Sequence, residues 1–157
     1  MKITLLAIGK TDNKNLQNLL EDYTKRLSHY VGFTFDVIPD IKNAKNLTEA
    51  QQKLAEGEEI LKRLQPTDVL FLLDEKGKQY TSEGFAEFLQ KKMNSGIKNL
   101  AFVIGGPYGF SADVYTKAKG KISLSEMTFS HQMVRLFFIE QTYRAFTILR
   151  NEPYHHR

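Results

Sequence analysis

The sequence predicts an α/β fold, a mostly parallel sheet with flanking helices, in one domain spanning residues 1–157. Two observations lead to it. Five apolar runs of strand length alternate with segments whose apolar residues recur at helical spacing, the pattern of strand–helix–strand units around a parallel sheet. Two of those runs, residues 69–73 and 100–104, are apolar throughout, as strands covered on both faces must be.

Residues 3–8 read as a first buried strand, and residues 15–30 as a helix with Leu16, Leu19, Leu20, Tyr23 and Leu27 on one side. Residues 33–38 alternate in polarity and stop at Pro39. A polar loop at 43–46 leads to Thr48, which caps a helix running to about residue 65 with Leu54, Ile60, Leu61 and Leu64 inward. The run 69–73 ends in Asp74, and Lys76-Gly77-Lys78 reads as a turn. Ser82 is the expected cap of a helix bearing Phe85, Phe88, Leu89 and Met93. The run 100–104 enters Gly105-Gly106. A short helix near 111–118 and a strand near 121–124 follow. The last helix runs from Ser130 to about Arg150, with Met133, Leu136, Phe137 and Phe146 among its apolar positions.

With 157 residues the chain can bury one real core. It has no cysteine, which excludes a disulfide framework and thiolate metal sites and favours a cytoplasmic location. No apolar run reaches the roughly 20 residues of a membrane span, and residues 1–10 lack the long apolar core of a signal peptide. Acidic and basic residues balance over residues 1–116, so the formal net charge of +4 arises entirely from residues 117–157. His131, His155 and His156 lie there too. A localised basic region suits a polyanion, although a solvated basic face has the same signature.

Three segments carry candidate chemistry. Gly105-Gly106-Pro107-Tyr108-Gly109 follows a buried strand, at the position where open α/β sheets bind ligands. It matches neither the dinucleotide pattern nor a phosphate-binding P-loop, and a plain strand-to-helix turn is the alternative. Leu124-Ser125-Glu126-Met127-Thr128-Phe129 runs from a strand end to a capped helix. Its backbone groups can read a heterocycle edge, with Leu124 and Met127 as apolar contacts; core packing by Met127 and Phe129 is the other reading. The last helix and tail contribute His131, Arg135, Glu140, Arg144, Tyr154, His155, His156 and Arg157. Glu140 and Arg144 are spaced to pair, and the tail combines groups that stack on bases and contact phosphates. There is no Ser-His-Asp order, no H-E-x-x-H and no carboxylate cluster, so hydrolase and metal chemistry have no support.

Taken together, these segments resemble the ribosomal large-subunit pseudouridine N3-methyltransferases of the SPOUT superfamily. The resemblance covers nearly the whole chain: residues 1–10, the run 102–106, the run 124–135, Glu140-Gln141-Thr142-Tyr143-Arg144-Ala145 and the terminal Tyr154-His155. It implies a deep C-terminal trefoil knot, which general connectivity rules disfavour, and a homodimer with its site at the subunit interface. It implies S-adenosylmethionine as cofactor, contacted by Leu73, Gly105, Leu124, Ser125, Glu126, Met127, Thr128 and Phe129. It implies a pseudouridine of 23S ribosomal RNA, in the assembled large subunit or ribosome, as substrate. Arg135, Arg144, Tyr154 and His155 are then the expected catalytic residues, and His131, Arg135, Tyr154, His155 and Arg157 the expected RNA contacts. Neither DNA, nor a membrane, nor a metal is expected.

Two positions depart from the family pattern. The tail reads Tyr154-His155-His156-Arg157 where the family places a basic residue directly after Tyr-His, so the phosphate contact moves to Arg157. Glu126 adds an acid to the cofactor segment. No dedicated general base is identifiable. A non-catalytic RNA-binding assembly factor with the same fold, or an enzyme acting on free nucleotides, remains the alternative.

Overall fold

The computed structural model describes residues 1–156. In chain order the elements are β1 (Lys2–Ile8), α1 (Lys14–Ser28), β2 (Gly32–Ile38), α2 (Glu49–Lys62), β3 (Val69–Gln79), α3 (Ser82–Asn94), β4 (Asn99–Ile104), α4 (Ala112–Lys117), β5 (Gly120–Ser123) and α5 (His131–Leu149). A single 3-10 turn, Ala44–Asn46, occupies the expected polar loop between β2 and α2. The strands form one sheet in the order β2-β1-β4-β3-β5. Every pairing between them is parallel.

A parallel sheet must be covered on both faces, and the strand sequences supply both coverings. Successive side chains of a strand point to opposite faces, and the buried strand residues divide accordingly. Leu5 and Phe102 belong to one cluster with Leu20 of α1, Leu89 of α3 and Phe138 of α5. Their neighbours Leu6 and Val103 belong to the other, with Ile60 of α2 and Val114 of α4. The first face is rich in aromatics: the rings of Phe102 and Phe138 lie 4.7 Å apart, a separation at which aromatic pairs add to simple burial.

Helix starts follow capping chemistry. Thr48 accepts from the Gln51 amide while the Gln51 side chain accepts from the Thr48 amide, the reciprocal capping box. Ser111 and Ser130 cap α4 and α5. None of the described helices is long and apolar enough to cross a membrane.

The structure corrects four local expectations. Lys76-Gly77-Lys78 is not a turn but part of β3, whose pairing with β5 shifts register between Leu73 and Lys78. A Cβ on Gly77 would lie 2.6 Å from the backbone of Ile122, so glycine is required there by the close passage of β5. Thr81, not Ser82, caps α3; the Ser82 hydroxyl donates instead to Gln141 Oε1 at 2.7 Å. The second helix stops at Lys62, with Arg63 as its C-cap. Leu54, expected inward, is 51% exposed.

Candidate active site

The carboxyl ends of β4 and β5, with the middle of β3 where its pairing shifts register, open onto a cleft of about 350 Å³, within the size range of small-molecule sites and where open parallel sheets bind ligands. Leu73, the last residue of β3 paired with β4, and Gly105, just after β4, form part of its wall. Leu124, Ser125, Met127, Thr128 and Phe129 close it from the segment after β5. His131 lines it as well, from the first turn of α5. Glu126, expected among the cofactor contacts, does not line the cleft and is exposed. The acid turns to solvent while its neighbours face the cleft.

Local hydrogen bonds hold this wall. The Ser123 hydroxyl donates to the Ser125 carbonyl at 2.9 Å, and the Met127 amide donates to Ser125 Oγ at 3.0 Å. Ser130 Oγ accepts from the Met133 amide at 3.1 Å, fixing where α5 begins. Across the cleft, Gly106 and Gly109 form an isolated bridge, and Gly109 adopts φ +82°, which glycine alone takes without strain. A Cβ on Gly105 would lie 2.9 Å from the Phe110 ring. At the rim, the Tyr115 hydroxyl donates to Asp74 Oδ2 at 3.1 Å; burial, then this bond, raises the phenol pKa.

The other expected functional residues gather near the far end of α5. Arg144 donates through Nη2 and Nε to Glu140 Oε1, at 2.7 and 3.2 Å. Its guanidinium lies 4.7 Å from the centre of the Tyr154 ring, and the Tyr154 hydroxyl donates to the same Glu140 oxygen at 2.9 Å. Arg144 Nη1 meets His155 Nδ1 at 3.1 Å. Arginine has only donors, so Nδ1 accepts and the His155 ring carries its hydrogen on Nε2. Burial, followed by bonds to Tyr23 and Glu140, pushes the Tyr154 phenol far above its ordinary range. It therefore acts as a neutral hydroxyl. Tyr23, whose hydroxyl lies 3.4 Å from that of Tyr154, is a member of this cluster that the sequence reading missed.

Arg135 is not part of either group. It is 1% exposed, and donates to the Ile8 carbonyl at 2.9 Å and to Thr11 Oγ1 at 3.0 Å. Burial lowers its pKa. The sequence reading has this residue facing substrate; in the structure its guanidinium is enclosed by protein rather than presented at the surface. Neighbouring Gln132 accepts from the Asp12 amide at 3.0 Å. The two side chains tie α5 to the β1–α1 connection. Arg157 lies outside the described residues.

From His131 to Arg144 is thirteen residues of continuous helix, or about 20 Å at 1.5 Å per residue. The cleft and the Arg144–Tyr154–His155 cluster are therefore separate within one protomer. Among the described residues no three His, Cys, Asp or Glu side chains gather to hold a metal ion.

A family model described as Predicted SPOUT methyltransferase matches residues 1–155. The chain belongs to the SPOUT methyltransferase family. Three relatives of this SPOUT chain are each called ribosomal RNA large subunit methyltransferase H. That of Flavobacterium johnsoniae is 71% identical over 157 residues, all of both chains. That of Christiangramia forsetii is 64% identical over the same full lengths. That of Bacteroides thetaiotaomicron is 54% identical over 156 residues, 99% of each chain. The glycine loop and the wall after β5 are thus parts of a SPOUT methyltransferase, which sets group transfer above the hydrolytic and metal-dependent readings.

Proposed function

We propose that the chain transfers the methyl group of S-adenosylmethionine to N3 of a pseudouridine in 23S ribosomal RNA, within the assembled large subunit or ribosome. The observation that carries this reading is the cleft beyond β4 and β5 and beside Leu73 of β3, walled by Gly105, Leu124, Ser125, Met127, Thr128 and Phe129. The names of the relatives support the substrate class. The wall suits the cofactor: Leu73, Leu124 and Met127 offer apolar contact, and the turns around Ser125 and Gly105 offer main-chain polar groups.

When bound, S-adenosylmethionine supplies an electrophilic methyl group on a sulfonium. The protein's part is alignment and electrostatics. Arg144, fixed by Glu140, places a cation where the uracil-like ring loses its N3 proton, and a nearby cation favours that anion. Tyr154 offers a ring for stacking, and His155, held by Arg144 through Nδ1, orients the base or its phosphate. His131 at the cleft, with Arg157, completes the RNA contacts. Arg135 is reassigned to positioning the start of α5.

Because the two groups lie about 20 Å apart along α5, the working form is a homodimer in which one protomer's cleft meets its partner's tail. Met127 at 76% exposure, with partly exposed Met133 and Phe137, provides an apolar face for that contact. The chain acts as a single cytoplasmic domain, residues 1–157, whose C-terminal part forms a trefoil knot.

The test is transfer of labelled methyl from S-adenosylmethionine to ribosomes that lack the modification, with the product mapped by mass spectrometry. Label on one pseudouridine of 23S RNA is the expected result. No transfer, with the cofactor unbound, would replace this reading by a non-catalytic assembly factor. Transfer to free nucleosides would point to a nucleotide-modifying enzyme.

A further inference from the structure

Glu56 sits in α2, and neither the cleft wall nor the tail cluster contains it. It is nevertheless 3% exposed. Gln52 Nε2 donates to its Oε2 at 3.3 Å, while Oε1 has no hydrogen-bonding partner in the protein. A buried acceptor without a donor is costly and calls for an explanation. The explanation is what the carboxyl touches. It fills the space where Gly106 lacks a side chain: a Cβ there would meet Glu56 Oε1 at once, with Oε2 at 2.6 Å and Cδ at 2.8 Å.

The next residue makes a second contact with the same loop. Gly57 lies within a helix, where glycine is disfavoured relative to alanine. A Cβ on it would collide with Ser111 Oγ and lie 3.0 Å from Ser111 Cβ. Ser111 is the buried cap of α4. One turn of α2 therefore grips the glycine loop at both ends, Glu56 at Gly106 and Gly57 at Ser111, from behind the wall that Gly105, Gly106 and Gly109 present to the cleft.

We infer that Glu56 and Gly57 are positioning residues for cofactor binding, setting the shape of the Gly105–Gly109 loop through direct contact. The inference rests on the cleft being the S-adenosylmethionine site. Shape rather than charge is the operative property, since toward the loop the carboxyl meets the glycine backbone of Gly106 while its Oε1 has no donor.

The experiment uses the full chain and the variants Glu56→Gln, Glu56→Asp, Glu56→Ala and Gly57→Ala. Leu54→Ala, on the exposed side of the same helix, serves as control. Amide hydrogen exchange is read without cofactor, and S-adenosylmethionine affinity by calorimetry. Glu56→Asp, which keeps the charge but withdraws it, Glu56→Ala and Gly57→Ala should speed exchange in the 105–111 loop while β4 stays protected. Each should weaken cofactor binding about tenfold, since small misplacements of a binding loop are amplified in this way. Glu56→Gln, equal in shape, should stay within about twofold of the parent.

Unchanged loop exchange and affinity in both Glu56→Asp and Glu56→Ala would overturn the inference. So would uniform loss of protection across β4 and the loop together, the mark of general destabilisation. If the parent itself does not bind S-adenosylmethionine, the cofactor reading falls, while loop exchange still decides whether Glu56 and Gly57 hold the loop.

Discussion

The Nη2 of Arg135 donates to the main-chain carbonyl of Ile8 at 2.9 Å, joining the last helix to the end of the first strand. Its Nη1 donates to Thr11 in the same connection. Arg135→Ala removes a large buried side chain and leaves the Ile8 carbonyl without this donor. The expected loss of stability is roughly 2–4 kcal/mol, read by urea unfolding at fixed protein concentration. Lysine at this position should recover only part of it, because an ammonium lacks the fork that spans two acceptors. A loss no larger than about 0.5 kcal/mol, typical of surface substitutions, would contradict the structural role.

Glu140 holds both Arg144 and Tyr154 on one oxygen. Glu140→Ala should cut methylation of ribosomes about tenfold through misplacement of those groups. Cofactor affinity should not change, because neither Glu140 nor the groups it holds line the cleft. Equal losses in both measurements would mean that the two ends are not separable.

Tyr154→Ala should weaken methylation by about 1–3 kcal/mol of lost stacking, roughly fivefold to 150-fold, with cofactor binding intact. Tyr154→Phe keeps the ring but loses the bond to Glu140, and should fall between the parent and the alanine variant. Parent-like kinetics in the alanine variant would remove the tail from the site.

Phe137 lies on α5 with its ring 4.9 Å from that of Phe129, and remains partly exposed. If the homodimer covers this face, Phe137→Glu should sediment as a folded monomer and lose methylation. A parent chain that is monomeric and fully active at working concentration would defeat the dimer proposal.

Burial raises the Glu56 carboxyl pKa, with Asp40 adding to the effect and the Gln52 bond opposing it. The folded protein thus takes up this proton at higher pH than the unfolded chain. The contribution of Glu56 to stability is complete below the ordinary carboxylate pKa and is lost as pH rises through the raised value. Melting temperatures of the parent and of Glu56→Gln, compared from about pH 8 down to about pH 5, should shift in favour of the parent as pH falls. A pH-independent difference would show that the group titrates normally.

The strands and helices were legible because their apolar patterns have one solution: the runs ending at Leu73 and Ile104 must be covered on both faces, and they are. The cleft was legible for the same reason, since the sheet fixes where strand ends meet. Arg144, Tyr154 and His155 were brought together by a helix end and a short tail. What failed was what tertiary contact decides. Gly77 reads as a turn because turns and close strand crossings demand the same residue. Thr81 and Ser82 are adjacent and equally good caps. Arg135 reads as surface charge, and its burial depends on a carbonyl 127 residues away. Glu56 was missed, though glycine at position 57 inside a helical pattern is the signal of a close approach.

The order of the sheet also dictates when the chain can fold during its own synthesis. β1 lies between β2 and β4, and the helix that reaches its end through Arg135 comes last in chain order among the described elements. Long-range pairings of this kind form slowly, because loop closure precedes the contacts that reward it. Until α5 has packed, the face of β1 that carries Ile3 and Leu5 is covered only in part, by α1, and until β4 is made β1 has a single strand neighbour.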